Sequence, residues 1–227
     1  MSDLKEFEEL EKDICAFAKE MHDKEHKVHY EGPFITGKLE NPKILFLSIN
    51  PGGGDETVTK NDFKKVKFKH LDERYPLAKE LEYIFGRNIL ENSCETYMES
   101  FFATVGKTAL NELLARFDKE SRKEHDELCE KMLELALETK PKMIVIIGLG
   151  SFGYFCDKDE NKLKPNNEKP DSERRYLLST EYNGIPVYGI IHLSGARPSN
   201  AMKDELQRFF AEKISKNETV KNSVSIR

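Results

Sequence analysis

The sequence has no long hydrophobic run, and this absence excludes a helical membrane protein. The longest apolar runs are Ile44–Ile49, interrupted only by Ser48, and Met143–Ile147. Both are far shorter than the roughly 20 apolar residues that a transmembrane helix needs. The N-terminal segment MSDLKEFEEL is acidic and lacks the apolar core of a signal peptide. We therefore expect a cytoplasmic protein with no membrane partner.

Cysteine is scarce and scattered along the chain. The four cysteines, Cys15, Cys94, Cys129 and Cys156, form no CxxC pair. A zinc site or an iron–sulfur cluster built mainly from cysteine needs more closely grouped ligands. The spacing therefore predicts free thiols and no cysteine-based metal centre.

Positive charge is in the minority as well. The chain has 36 lysines and arginines against 41 aspartates and glutamates, a formal net charge of −5. A uniformly basic nucleic-acid-binding protein has the opposite balance. Residues 60–70 depart from this average, because they contain five lysines and one aspartate, Asp62. Charge alone favours a solvated surface for this stretch.

The hydrophobic pattern predicts one α/β domain spanning residues 1–227. The nearly continuous apolar runs 44–49 and 143–147 are typical of strands buried on both faces. Apolar residues at spacings of three and four predict helices over 3–22, 76–85, 109–117, 124–137 and 200–214, the first capped by Asp3. Because helices alternate with buried strands, we expect a mostly parallel sheet covered on both faces by helices.

The remaining segments are assigned by composition. Residues 97–105 are predicted as a strand or a short buried segment, and 176–179 and 187–192 as the last two strands, with a turn at Asn183-Gly184. The charged residues 157–175 are predicted as an exposed loop. The tail over 215–227 is predicted to be frayed.

Two polar residues follow the predicted strands where ligands bind in parallel sheets. Asn50 comes just after the first buried strand, and His192 ends the last one. If these strands are parallel, both side chains lie at the same edge of the sheet, beyond the carboxyl ends of the strands. Taken singly, each has a plainer interpretation: Asn-Pro-Gly is a good turn sequence, and a lone histidine is commonly structural.

Three short motifs in this order resemble the uracil-DNA glycosylase superfamily. They are SINPG at 48–52, MIVIIG at 143–148 and HLSGARPSN at 192–200. The first is similar to the Gly-x-Asn-Pro-Gly motif of the mismatch-specific and single-strand-selective branches. The third is similar to a motif that usually begins His-Pro-Ser. The order and spacing fit over roughly residues 40–215.

The resemblance implies a three-layer α/β/α domain that flips a damaged base out of DNA and hydrolyses its N-glycosidic bond. Asn50 would orient a water molecule, and His192 would donate a hydrogen bond to the leaving base. The partner would be DNA containing a damaged or deaminated base, with no metal, cofactor or obligate protein partner. The loop residues expected to bind the base or the adjoining phosphate are Ser48, Ile49, Pro51, Gly52, Ser194 and Gly195.

Further residues carry over from the same resemblance. Phe63 lies where an aromatic residue stacks on the flipped base, although a core phenylalanine is an equal alternative. The lysines around it, Lys60, Lys64, Lys65 and Lys67, would contact the DNA backbone. Arg197 would enter the duplex or contact a phosphate.

The sequence departs from the superfamily pattern in three places. Ser48 replaces the first glycine, Leu193 replaces the proline after the histidine, and residues 97–104 offer Ser100 or Thr104 where an asparagine often reads the base. A hydroxyl cannot make the paired contacts of an amide. These differences leave a second function open, a non-catalytic protein that binds nucleic acid or a modified base on the same fold.

A rival motif, GLGSFG, occupies residues 148–153. It matches the GxGxxG of dinucleotide sites, which also need a helix opening in the loop and an acidic residue after the next strand. The residues after it show no apolar helical period, so we expect no nucleotide cofactor. Ser151 in the same motif approaches a nucleophile elbow, but Leu149 stands where the first glycine belongs.

Overall fold

In the computed structural model the described residues are 4–24, 28–30, 32–51, 71, 76–104, 106–158, 163, 176–194 and 198–224, without the side chains of 76 and 217–224. None of the helices in these ranges has the length and apolar character that a bilayer crossing requires. The cytoplasmic location stays a prediction.

Seven helices and six strands are described. The helices are α1 (Leu4–Asp23), α2 (Pro76–Phe85), α3 (Arg87–Leu90), α4 (Gly106–Leu114), α5 (Lys119–Glu138), α6 (Leu149–Lys158) and α7 (Asn200–Val224). The strands are β1 (Thr36–Gly37), β2 (Leu45–Ser48), β3 (Cys94–Tyr97), β4 (Ile144–Ile147), β5 (Leu177–Tyr182) and β6 (Ile185–Ile190).

The strands form one mixed sheet in the order β1-β3-β2-β4-β6-β5. The four central strands run parallel, and the two edge strands are antiparallel to their neighbours. At matching levels, Leu45 of β2 pairs with Ile144 of β4, and Ile144 pairs with Val187 of β6. The carboxyl ends of β2, β3, β4 and β6 therefore meet at one edge of the sheet.

The central strands bury both faces, which produces three layers. Leu45, Leu47, Ile144 and Ile146 belong to the core shared with α1, α4, α5 and α6. The alternate residues Ile44, Phe46, Val145 and Ile147 belong to a second core with residues of α2 and α7. Because successive side chains on a strand point to opposite faces, an unbroken apolar run is what such a strand needs. The predicted α/β fold with a mostly parallel, doubly covered sheet is confirmed.

Most predicted elements are present, with shifted boundaries. The predicted helices at 3–22, 76–85, 109–117 and 124–137 correspond to α1, α2, α4 and α5. Helix α5 begins at Lys119 because Asp118 caps it, its side chain accepting a hydrogen bond from Ser121 N. The last two strands form a hairpin whose turn residues Asn183 and Gly184 both have positive φ, as predicted for Asn-Gly. Asp3, the proposed cap of α1, lies outside the described residues.

For residues 97–105 the second of the two predicted alternatives is confirmed. Strand β3 lies earlier, at Cys94–Tyr97, and the residues after it form an irregular segment that is buried over 100–103. Two other predictions are corrected. The prediction that no helix opens at GLGSFG was wrong, because α6 begins at Leu149 within the motif. Helix α7 continues to Val224, well beyond the predicted end at Ile214, so it includes most of the tail. Of the predicted loop 157–175, the described residues are 157 and 158, which belong to α6, and 163.

Candidate functional site

Asn50 and His192 follow two strands of the same orientation. Each lies two residues beyond the end of its strand, Asn50 after β2 and His192 after β6. Both strands are parallel to β4, which lies between them. Neighbouring strands are about 4.8 Å apart, so β2 and β6 are separated by about 10 Å. The predicted parallel relation of the two strands is therefore confirmed, and both residues follow the carboxyl edge of the sheet.

The side-chain amide nitrogen of Asn50 is held by the chain segment that follows β3. Nδ2 donates to Phe102 O at 3.0 Å, to Thr104 Oγ1 at 2.9 Å and, more distantly, to Thr104 O at 3.4 Å. It also lies 2.9 Å from Pro51 O. Carbonyl oxygens can only accept, so these contacts fix which end of the amide is nitrogen. Both amide hydrogens point into the protein, and Oδ1 is the opposite, acceptor end of the group.

The backbones of the two segments are joined as well. Met98 N donates to Ser48 O at 2.9 Å, and Glu99 N donates to Ile49 O at 3.0 Å. Thr104 N donates to Pro51 O at 3.2 Å. These bonds continue the pairing of β2 with β3 beyond the ends of both strands. The Asn50 loop is therefore built on the segment 98–104 and not on its own turn residues alone.

The predicted first-loop residues differ in exposure. Ser48 and Ile49 are half-buried, and Pro51 is buried. Ile49 packs against the core that α1 and α5 share with the sheet. Ser48 and Ile49 are thus partly exposed at the carboxyl end of β2, whereas Pro51 is enclosed and its carbonyl oxygen accepts from Thr104 N.

His192 is exposed, and its ring nitrogen Nδ1 lies 3.2 Å from the hydroxyl of Ser194, which is also exposed. The residue between them, Leu193, is 2% exposed and packs in the core with α2 and α7. This buried leucine anchors the loop to the core between the sheet and helices α2 and α7. The loop leads to Ser199, whose hydroxyl accepts from Met202 N at 3.3 Å at the start of α7.

A third loop reaches the same edge between the other two. Gly148 follows β4 with φ at 107°, a conformation that favours glycine, and a Cβ there would lie 3.2 Å from Ser151 Oγ. Ser151 itself is buried at the first turn of α6, and its hydroxyl has no hydrogen-bond partner. It is not presented to solvent as a nucleophile elbow presents its serine.

The helix after GLGSFG meets one of the two conditions for a dinucleotide site, but the other is not met. Chain order leads from α6 to β5, which is antiparallel to β6 at the edge of the sheet. The next parallel strand, β6, is followed by Ile191 and His192, with no acidic residue at its carboxyl end. The described residues thus lack the carboxylate that would hold a ribose.

Ser100 lies in the interior. It is fully buried; its hydroxyl accepts from Phe102 N at 3.0 Å and lies 3.0 Å from His125 Nε2. The other ring nitrogen of His125, Nδ1, lies 3.0 Å from Asp126 Oδ1. Sequence reasoning found no Ser–His–Asp arrangement, because these residues come from a loop and a helix with no local motif. The serine is enclosed, so the arrangement cannot serve as a hydrolytic triad, and Ser100 is not brought to the sheet edge.

Eight predicted site residues lie outside the described residues. They are Gly52, Lys60, Phe63, Lys64, Lys65, Lys67, Gly195 and Arg197. Their base-binding and DNA-binding roles stay predictions.

All four cysteines are free, as predicted, and three of them are buried. Within the described ranges no group of three or more His, Cys, Asp or Glu side chains is arranged to hold a metal ion. Burial raises the pKa of the Cys129 thiol, so this thiol, 3.6 Å from His125 Nε2, stays protonated.

Comparison of the chain with known protein families, with curated proteins and with solved structures found no match.

Proposed function

We propose that this protein is a monofunctional DNA glycosylase-like hydrolase that removes uracil or another deaminated base from DNA. The observation that carries the proposal is the placement of Asn50 and His192 after parallel strands at one edge, with the Asn50 amide held by Phe102 and Thr104. A base-excising site of this kind needs two groups, one for the attacking water and one for the leaving base. The two loops provide one candidate for each.

Asn50 supports the first role through the orientation of its amide. Because Nδ2 donates to protein acceptors, Oδ1 is the atom that would accept a hydrogen bond from water. Cleavage of an N-glycosidic bond gives the sugar oxocarbenium character, so a positioned water can serve as the nucleophile. A neutral amide that is fixed before the substrate binds costs little reorganisation during the reaction.

His192 supports the second role through its tautomer. When the Ser194 hydroxyl donates to Nδ1, the neutral imidazole carries its hydrogen on Nε2. His192 is exposed, so this Nε2–H would serve as a hydrogen-bond donor to a base oxygen that gains negative charge as the bond breaks. The proposed reaction thus uses one amide and one neutral imidazole, with DNA as substrate and no cofactor.

The interior position of Ser100 favours a second candidate, a protein that binds nucleic acid or a modified base without cleaving it. The segment 97–104 has no asparagine, and its Ser100 hydroxyl is bonded to His125 and Phe102. Base recognition through this segment then falls on backbone atoms or on Thr104. Weak base selection is compatible with binding, whereas a repair enzyme needs to discriminate against normal bases.

A cleavage assay decides between the two functions. Oligonucleotides with one uracil, hypoxanthine or xanthine, single- and double-stranded, are incubated with the protein and then treated with alkali to cut abasic sites. Asn50→Ala and His192→Ala are tested beside the unchanged protein, with the exposed His22→Ala on α1 as a matched histidine control.

A glycosylase gives strand cuts at one modified base, lost in Asn50→Ala and kept in His22→Ala. If no substrate is cut and modified oligonucleotides still bind more tightly than unmodified ones, the binding function replaces the enzymatic one. The absence of both cleavage and selective binding rules out both candidates.

A further inference from the structure

A buried chain of hydrogen bonds leads from the partners of Asn50 to helix α5. Phe102 takes part twice, since its carbonyl accepts from Asn50 Nδ2 and its N–H donates to Ser100 Oγ, both at 3.0 Å. Ser100 Oγ lies 3.0 Å from His125 Nε2, and His125 Nδ1 lies 3.0 Å from Asp126 Oδ1. His125 and Ser100 are fully buried, and the chain reaches solvent at Asp126.

The donors and acceptors of this chain agree with one tautomer of His125. The Asp126 carboxylate can only accept, so Nδ1 of His125 carries a hydrogen. Burial lowers the pKa of His125, which favours the neutral ring, and Nε2 is then an acceptor for the Ser100 hydroxyl. Ser100 thereby donates its hydroxyl hydrogen to His125 Nε2, and its oxygen accepts the N–H hydrogen of Phe102.

Aromatic packing holds the imidazole against the same segment. The His125 ring is stacked on Phe102 at 5.7 Å and 12°, and its centroid lies 5.1 Å from that of Phe101. The ring centroids of Phe17 and Phe117 lie 6.4 and 6.1 Å from that of His125. Close packing leaves little room for the ring to rotate, so the segment and the histidine are fixed together.

We infer that His125 is a positioning residue for Asn50. Through Ser100, it sets the turn that directs the carbonyl of Phe102 toward the Asn50 amide. The catalytic consequence of this role rests on the proposed glycosylase function, whereas the structural consequence for Asn50 does not. No sequence motif indicates this role, because His125 lies on a helix that is far from both loops in the chain.

Cys129 adds a second link between α5 and the segment. Its thiol donates to Glu99 O at 3.7 Å and lies 3.6 Å from His125 Nε2. A thiol is a weak donor and a weak acceptor, so the Ser100 hydroxyl is the principal partner of Nε2. Variants of Ser100 and His125 therefore test the chain more directly than variants of Cys129.

The test uses the side-chain amide resonances of Asn50 in a 15N-labelled full-length protein, assigned by their loss in Asn50→Ala. Their hydrogens exchange slowly while they are donated to Phe102 and Thr104. Ser100→Ala removes the link, His125→Leu removes the acceptor, and His125→Gln keeps an acceptor oxygen near Ser100. Phe117→Leu is the matched control, because it loosens the packing around the same ring without removing a hydrogen bond.

We expect the Asn50 amide to exchange about tenfold faster in Ser100→Ala and His125→Leu, the factor that corresponds to losing one hydrogen bond. His125→Gln restores most of the protection, and Phe117→Leu leaves it near the value of the unchanged protein. Unchanged exchange in folded Ser100→Ala, or equal acceleration in Phe117→Leu, overturns the inference. Should His125→Leu fail to fold, Ser100→Ala and His125→Gln decide the matter.

If the protein proves to be a glycosylase, cleavage kinetics provide a second measurement of the role of His125. We expect kcat to fall roughly 10- to 100-fold in Ser100→Ala with little change in KM, since a misplaced Asn50 affects water attack more than DNA binding. An equal fall in Phe117→Leu contradicts a positioning role. If the unchanged protein cleaves nothing, the proposed function fails while the amide exchange still decides the role of His125.

Discussion

Asn50 and Phe102, 52 residues apart in the chain, are joined by a hydrogen bond of 3.0 Å between the Asn50 side-chain amide and the Phe102 carbonyl. This bond ties the loop after β2 to the segment after β3. It explains why a residue in a common turn sequence has a fixed side chain, and it places the acceptor oxygen of Asn50 opposite the buried carbonyls.

Replacing Asn50 tests this anchoring by its effect on stability. Asn50→Ala should lower the free energy of unfolding by about 1–2 kcal/mol, because it leaves the carbonyls of Phe102 and Thr104 without their side-chain donor. Asn50→Asp should lower it further at pH 7, since a carboxylate would face the oxygens of Phe102 and Thr104. Those oxygens raise the pKa of the new carboxyl, so lowering the pH toward 4 should narrow the gap between the two variants. Urea unfolding of both variants and of the unchanged protein at pH 7 and pH 4 measures these differences. If all three proteins are equally stable at pH 7, the anchoring role of Asn50 is contradicted.

Replacing His192 should separate activity from stability. The side chain is exposed, so His192→Ala should change the free energy of unfolding by no more than about 0.5 kcal/mol. Under the proposed function, the loss of one donor to the leaving base should lower kcat about 10²–10³-fold. Ser194→Ala should cause a smaller loss, because it alters only the tautomer preference of His192. Thermal unfolding and single-turnover cleavage are the two measurements, and full activity of His192→Ala would remove this residue from the mechanism.

The buried carboxyl of Glu11 should make the free energy of unfolding decrease as the pH rises above the ordinary pKa of a glutamate. Its carboxyl is buried between α1 and the following segment, where it accepts from Tyr30 OH and, at 3.0 Å, from Phe34 N. Burial raises its pKa above 4.5 in spite of these bonds. Between 4.5 and the raised pKa the folded state therefore holds more protons than the unfolded state, and stability decreases with pH.

The variant Glu11→Gln isolates this contribution. The stability of the unchanged protein minus that of Glu11→Gln should decline as pH rises from about 4.5 through the raised pKa. The exposed Glu9→Gln on the same helix serves as control and should show no such trend. Chemical denaturation at a series of pH values measures the difference, and an increase with pH would show that the folded-state pKa is lowered instead.

His125 should contribute the opposite dependence. Burial, the larger cause, lowers its pKa below 6.5, although the hydrogen bond to Asp126 raises it; Arg122 and Lys158 lower it further. Below pH 6.5 the unfolded state then binds a proton that the folded state does not, so stability is lost as pH falls toward the lowered pKa. His125→Gln should remove this part of the pH dependence in the same denaturation series. The exposed His22→Ala should leave it in place.

Two glycines should respond to alanine in opposite directions. A Cβ on Gly189 of β6 would lie 2.5 Å from the buried Phe152 ring, so Gly189→Ala should cost about 1–3 kcal/mol by overpacking. Gly153 lies inside α6, and a Cβ at this position would have no neighbouring atom within 4 Å. Gly153→Ala should stabilise the protein by roughly 0.5–1 kcal/mol, because alanine is the better helix former. Thermal unfolding of both variants checks the signs, and a destabilised Gly153→Ala would indicate that a neighbour covers this glycine.

The apolar runs determined the centre of the fold. Ile44–Ile49 and Met143–Ile147 are unbroken or nearly so, and only a strand covered on both faces buries every residue of such a run. The position of strand β3 was not predicted from the apolar pattern, because its sequence, Cys-Glu-Thr-Tyr, is half polar although all four residues are buried. The Thr96 hydroxyl is accommodated there by donating to Phe34 O at 2.9 Å, a partner that no local pattern reveals.

Helix α6 was missed for a related reason. Its buried residues, Ser151, Phe152, Phe155 and Cys156, have helical spacing, but the first two lie inside the glycine motif itself. The residues that follow the motif show no period because the helix ends at Lys158. A helical period is visible only when the window starts at the true beginning of the helix.

The sequence by itself determined that Asn50 and His192 follow buried strands, because local apolar pattern is enough to locate such strands. Tertiary structure alone decided which polar groups face the sheet edge and which are enclosed. The orientation of the Asn50 amide is set by its hydrogen bond to Phe102 O. The Ser100 hydroxyl is bonded to His125, 25 residues away on α5. A hydrogen bond between distant residues forms only after packing has brought them together, so its partners leave no periodic trace in the sequence.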